Sequence, residues 1–173
     1  MAYVPIFGTL ANHLLEEKIN QSISANARRI KLKKNQLLIL NMKPLLSIIT
    51  VVFNNVNYIN EAIDSVLNTN SKDVQYIIVD GSSTDGTVEV IKAYGNKISK
   101  FLSEPDKGLY DAMNKGVGLA DGQYIAFINA DDYYVDGELG KVINELYEKS
   151  PDVLYANLDY IDNERKVKRC WRA

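Results

Sequence analysis

The chain has 173 residues, 46% of them hydrophobic and 24% charged, which suits one domain with one core and not a disordered tract or a membrane bundle. A net charge of −2 argues against a general nucleic-acid binder, which would be basic. Cys170 stands alone, no apolar run reaches the roughly 18 residues of a membrane span, and residues 1–15 lack the basic start of a secretory signal, so a cytoplasmic setting is expected.

Charge is not evenly spread. Residues 1–41 hold six Lys or Arg against two Glu, and the remainder holds fourteen against twenty acids. This basic opening reads as an extension outside the domain, with Met42-Lys43-Pro44 as the domain's natural start. An amphipathic helix packed on the domain, or resting on an anionic inner membrane face, is the alternative. The expected division is therefore an extension over 1–41 and a domain over 42–173.

From residue 45 onward two periodicities alternate. Leu45 to Phe53 is a continuous β-branched run, as expected of a strand buried on both faces. Ile59, Ala62, Ile63, Val66 and Leu67 make a helical stripe. Residues 74–80 read as a second buried strand, 86–94 as a helix after a turn, and 98–104 as a shorter strand. Leu109, Ala112, Met113 and Gly116 share a helical face, 123–130 is a strand, and Leu139, Val142, Ile143, Leu146 and Tyr147 mark a fourth helix. A late strand is expected over 153–158. Such alternation predicts an α/β fold, a mostly parallel sheet with helices on both faces.

In a parallel sheet, ligands bind beyond the carboxyl ends of the strands, near the point where strand order reverses. Here three strands end in Phe53-Asn54-Asn55, Asp80-Gly81-Ser82-Ser83 and Asn129-Ala130-Asp131-Asp132, which delivers acceptor-rich groups to one rim. Asp131 and Asp132 can diverge at a strand end towards a ribose hydroxyl and a divalent cation, since hard cations prefer oxygen ligands. The same pair also fits a solvated acidic turn that opens a helix. Asp80 suits either the imide hydrogen of a pyrimidine or a turn capped by its own backbone. Lys107 suits a phosphate ahead of the next helix, or plain solvent. Tyr110, Tyr133 and Tyr134 suit stacking or ordinary packing, and His13 and Cys170 lack the partners that a metal or nucleophile role requires.

The blocks "SIITVVFNN", "YIIVDGSSTDGT", "SEPDKGLYDAMNKG" and "FINADDYY", in this order and spacing, resemble the donor-binding half of family 2 glycosyltransferases, over about residues 45–165. The branch that assembles bacterial surface polysaccharides is the most similar. The resemblance implies a GT-A fold, a nucleoside-diphosphate-sugar donor, usually UDP-linked, an Mn²⁺ or Mg²⁺ cofactor, and a saccharide or lipid-linked acceptor. By the same resemblance Thr50, Phe53 and Asn54 frame the nucleoside, Asp80 reads uracil, and Asp131 and Asp132 are the ribose- and metal-binding end of the DXD signature.

The chain departs from the family in places. Val51 stands where many relatives have Pro, and Asn129 where many have Asp, which leaves the signature one carboxylate short. The family's general base, an acid of the acceptor-binding half, is expected beyond residue 173, so the chain reads as cut short before that half. Asp159 and Asp162 match the block preceding the acceptor region and are not taken as catalytic. The expected function is transfer of a sugar to an acceptor hydroxyl in polysaccharide synthesis. A noncatalytic nucleotide-sugar-binding module is the alternative. A nucleotidyltransferase would show a Gly-rich basic loop after the first strand, where this chain has Phe53-Asn54-Asn55-Val56.

Overall fold

Four parallel strands organise the molecule: β1 (Leu46–Val52), β2 (Val74–Asp80), β3 (Lys100–Ser103) and β4 (Tyr124–Asn129), side by side in the order β3-β2-β1-β4. They belong to a computed structural model that describes residues 43–162 and 164–172. The expected 1–41 extension lies outside the described residues. Helices α1 (Ile59–Leu67), α2 (Thr87–Ala93), α3 (Leu109–Leu119) and α4 (Glu138–Lys149) connect or follow the strands. These eight elements match the sequence expectation within a few residues at their ends. Among the described residues, no helix is long and apolar enough to cross a membrane.

Strand β1 is central and buried along its whole length, which accounts for its unbroken apolar sequence. Its two faces feed two cores. Ile48 and Val52, with Tyr76 and Ile78 of β2, meet the stripes of α1 (Ile59, Ile63, Val66) and α4 (Leu139, Ile143, Leu146). Ile49 and Val51, with Ile77 and Val79, meet Ala112 of α3. Each fully buried isoleucine contributes about 1.5–3 kcal/mol. Helix α3 lies close against the sheet at Gly116, where a Cβ would come 2.5 Å from Ile49 Cγ2. A larger side chain there would push the helix off the sheet.

Polar contacts tie down the amino-terminal rim. Ser47 Oγ donates to Gln75 Oε1 at 2.6 Å and accepts the Gly122 amide at 2.8 Å, while Gln75 Nε2 donates to Asp121 Oδ2 at 2.7 Å. These bonds hold the entry to β4 against β1. Register then levels the carboxyl ends, pairing Val52 with Asp80, Val51 with Asn129, and Asp80 with Ser103.

The carboxyl-terminal part differs from expectation. Residues 153–157 are irregular, and the late strand is β5 (Leu158–Ile161), paired antiparallel with β6 (Val167–Trp171). The apolar run over 153–158 lacks a ladder partner until the chain turns back, and strand begins only where Leu158 meets Trp171. Asp159 therefore lies within a strand, bound to Arg172 at 2.8 Å, and does not follow one.

Candidate functional site

The chain steps from β1 to β2 to β3 in one direction, then crosses back to place β4 on the other side of β1. The crevice beyond the ends of β1 and β4 is thus the topological switch point, where a parallel sheet offers backbone groups and loop side chains to a ligand.

The loops after β1 and β2 are locked to each other. Asn54, at φ 49°, donates its amide to Ser83 Oγ at 2.7 Å, and its Oδ1 accepts the Thr84 amide at 2.8 Å. The Asn55 amide reaches Thr87 Oγ1 at 2.9 Å, and the Val56 amide reaches Asp85 Oδ2 at 3.0 Å. Asparagine tolerates this left-handed backbone, which aims its carbonyl across the gap. The Thr87 hydroxyl, with the amides of Val56 and Thr87, holds Asp85 below the usual carboxylate range. Phe53 next door is 65% exposed and presents its ring at the rim.

Two expected contact residues face inward. Thr50 is fully buried in β1 and shares a 2.9 Å hydrogen bond with the Tyr76 hydroxyl. Strand alternation puts it on the same face as Ile48 and Val52, so it offers no surface to a nucleoside in this conformation. Burial also raises Tyr76 well above its ordinary value, and the phenol stays neutral. Asp80 is likewise 0% exposed. Its carboxylate accepts the Ser83 hydroxyl, the Ser83 amide at 3.1 Å and the Ser103 hydroxyl at 2.7 Å. Satisfied in this way, a buried carboxylate fastens the ends of β2 and β3 together.

The loop from β3 to α3 is equally well held. Lys115 forms an ion pair with Glu104 at 2.9 Å and donates to the Pro105 carbonyl at 2.8 Å, and the Glu104 contact raises the lysine above its ordinary value. The Lys107 amide reaches Asp111 Oδ2 at 3.0 Å, and the Gly108 amide reaches Asp106 Oδ1 at 2.8 Å. Gly108, at φ 106°, makes the sharp entry to α3. Lys107 itself is exposed at the rim.

Beyond β4 the chain turns at Ala130, which is buried, and leaves Asn129, Asp131 and Asp132 exposed. Asn129 Nδ2 donates to Asp132 Oδ2 at 2.9 Å. Among the described residues, no three His, Cys, Asp or Glu side chains converge as a ready-made cation cage. Two exposed carboxylates with oxygen donors only suit a hard divalent cation whose remaining ligands come from phosphate and water.

A family model described as Glycosyl transferase family 2 matches residues 47–170. The chain belongs to glycosyl transferase family 2. It is 34% identical over 123 residues to an uncharacterized glycosyltransferase of Rickettsia typhi, covering 70% of this chain and 38% of that protein. It is 35% identical over 113 residues to the putative teichuronic acid biosynthesis glycosyltransferase TuaG of Bacillus subtilis, covering 64% of this chain and 45% of that protein. The chain thus spans less than half the length of either relative. Among solved structures, TarS of S. aureus in complex with UDP-GlcNAc superposes with a TM-score of 0.61 at 23% identity, over 72% of this chain and 37% of that one. A mannosyltransferase of Pyrobaculum calidifontis with GDP-Man and Mn²⁺ gives 0.53 at 19% identity, over 63% and 34%. The fold is the GT-A type, and this family 2 chain covers part of it.

Of the expected contact residues, Phe53, Lys107, Asp131 and Asp132 reach the rim, Asn54 spans two loops there, and Thr50 and Asp80 lie beneath it. Reading the sequence passed over Asp85, Ser83, Ser103 and Asp106, whose partners come from other loops. A cleft of about 370 Å³ bordered by Ser65, Asn68, Asp136 and Gly140 contains none of the expected site residues.

Proposed function

We propose that this chain binds a nucleoside-diphosphate sugar, UDP-linked, together with a divalent cation, as the donor-binding part of a polysaccharide glycosyltransferase. The observation that carries the reading is the exposed Asp131-Asp132 pair at the end of β4, on the switch point beside β1. In this reading Asp132 holds Mn²⁺ or Mg²⁺, with Asp131 contributing to the cation or to a ribose hydroxyl. The bound cation supplies charge neutralisation on a departing diphosphate. Phe53 gives a base an aromatic face, and Lys107 offers a positive charge to phosphate. The rigid loop contacts preorganise these groups, which lowers the ordering cost of binding.

The family membership and the similarity to TuaG, named for teichuronic acid biosynthesis, support a polysaccharide product. The likeness to TarS, solved with UDP-GlcNAc, supports the uridine donor, and the mannosyltransferase solved with Mn²⁺ supports the cation. The acceptor in this reading is a saccharide or lipid-linked saccharide hydroxyl, met in the cytoplasm or at the inner membrane face. Transfer also requires a base for the acceptor proton. No residue of the donor rim is given that role.

Titration of the chain with UDP, with and without Mn²⁺, tests the reading. Binding that depends on Mn²⁺ and is lost in Asp132→Ala supports it. Folded protein that binds no UDP in the presence of Mn²⁺ overturns it.

A further inference from the structure

Gly81 directly follows β2, and a Cβ placed on it would lie 2.5 Å from Asp106 Oδ2, 3.3 Å from Asp106 Cγ and 3.4 Å from Phe53 Cδ2. The volume that a side chain at position 81 would fill is therefore occupied by the Asp106 carboxylate, arriving from the loop between β3 and α3. Gly81 does not adopt the left-handed backbone that demands glycine, so the requirement here is for room. Asp106 is also fixed in place. Its Oδ1 accepts the Gly108 amide, and the loop on either side is gripped by Lys115 at Glu104 and Pro105 and by Asp111 at the Lys107 amide. No described residue donates to Asp106 Oδ2, which sits at the rim beside the exposed ring of Phe53. Asp80, directly before Gly81, is enclosed and accepts only from Ser83 and Ser103.

We infer that Asp106, and not Asp80, reads the nucleobase of the donor, its Oδ2 accepting a ring N–H from a base that packs against Phe53. The inference rests on the donor-site reading above and assigns its base subsite. A carboxylate at this pH is an acceptor only. It matches the N3–H of uracil, or the N1–H of guanine, and opposes the ring lone pair that cytosine and adenine present at the corresponding edge. A site built around a hydrogen bond rejects a base that cannot make it far better than an apolar pocket would. Strand order agrees with this placement. Asp106 follows β3 and the Asp131-Asp132 pair follows β4, three strand spacings away, roughly 14 Å. That distance is on the order of an extended nucleoside diphosphate, with its base at one end and its cation-bound phosphate at the other.

The test measures binding of UDP, CDP, GDP and ADP, each with Mn²⁺, to the full chain and to Asp106→Asn, Gly81→Ala and Asp80→Asn, with thermal unfolding on every variant. In Asp106→Asn the amide oxygen keeps the Gly108 contact and the NH₂ takes the place of Oδ2. A donor then faces the uracil N–H, and UDP is expected to weaken about ten- to a hundredfold, the range for a lost charge-assisted hydrogen bond. CDP is expected to hold steady or improve, so the UDP-to-CDP preference collapses. Gly81→Ala is expected to displace the carboxylate and lower the same preference while thermal unfolding shows a folded protein. Asp80→Asn is expected to unfold at lower temperature with the preference intact. GDP binding that falls in parallel in Asp106→Asn supports the same role with guanine as the base. An unchanged UDP-to-CDP ratio in Asp106→Asn, or a ratio altered only by Asp80→Asn, overturns the inference while leaving the donor site standing. A folded wild type that binds none of the four overturns the donor-site reading and the inference with it.

Discussion

Asn129 Nδ2 lies 2.9 Å from Asp132 Oδ2 and donates to it, so the amide orients the carboxylate assigned to the cation. An aspartate at position 129 would put two negative charges at that separation, which favours a proton or a cation between them. Asn129→Asp is expected to bind Mn²⁺ several-fold more tightly in the presence of UDP. Its stability without metal should change by less than about 1 kcal/mol, since both groups are exposed. Mn²⁺ titration at fixed UDP checks the first expectation, and a weaker or unchanged affinity would show that the Asn129 amide plays no part in tuning the cation.

Asp80 makes a separate prediction about the fold. Ser103→Ala removes a 2.7 Å donor from a fully buried carboxylate without touching the rim. The expected cost is about 1.5–3 kcal/mol, the range for hydrogen bonds to charged groups. Urea unfolding measures it, and UDP affinity in the folded state should remain as in the wild type. A neutral result would mean that Asp80 is satisfied without β3.

Thr50 and Tyr76 form a pair suited to a double-mutant cycle. Thr50→Val keeps the shape of the side chain but leaves the buried Tyr76 hydroxyl without its 2.9 Å partner, at an expected cost of about 1–3 kcal/mol. Adding Tyr76→Phe removes the stranded group as well, and the double variant should recover much of the loss. Strictly additive losses would rule out coupling between the two hydroxyls.

These two pairs also show what a sequence can and cannot disclose. Strands, helices and the polar rim were legible because apolar period and strand-end residues are local properties. The Asp131-Asp132 pair was legible for the same reason, since an apolar strand running into two acids exposes them wherever the fold goes. Asp80 and Thr50 misled because type and position in a motif do not say which way a side chain turns. Asp80 turns to Ser83 and Ser103, and the second of these is 23 residues away. Asp106 was overlooked for the converse reason, because its significance lies in Gly81, on a different loop. The strand expected over 153–158 failed because its ladder partner, β6, was not recognised.

Acid should loosen the contact between the first two loops. Asp85 is held below its ordinary value of 3.8, chiefly by the Thr87 hydroxyl, and it also accepts the Val56 amide. A carboxylate lowered in the folded state contributes stability that is present above its unfolded value and lost as pH falls through the folded one. The wild type should therefore lose stability relative to Asp85→Asn on acidification below about pH 4, with no such relative change between pH 5 and 7. Parallel urea unfolding of the two proteins across this range gives the difference, and curves that stay parallel down to pH 2.5 would remove Asp85 from the lock.

Strand β4 is an edge of the parallel sheet, and on its α3-side face Ile125 and Phe127 are 43% and 44% exposed. An open ladder beside apolar side chains is a template for pairing with another chain. The 173-residue chain is expected to self-associate through this edge as its concentration rises. A lysine at position 127 puts a charge on the exposed face, breaks the apolar strip and leaves the buried β4 face of Ile128 untouched. Phe127→Lys should therefore shift sedimentation towards monomer with little change in melting temperature, because the side chain that it replaces is already half in solvent. Retention of the wild-type association state in Phe127→Lys would place the sticky surface elsewhere, with the exposed apolar side chains of the β5–β6 hairpin, among them Tyr160 and Trp171, next to be tested.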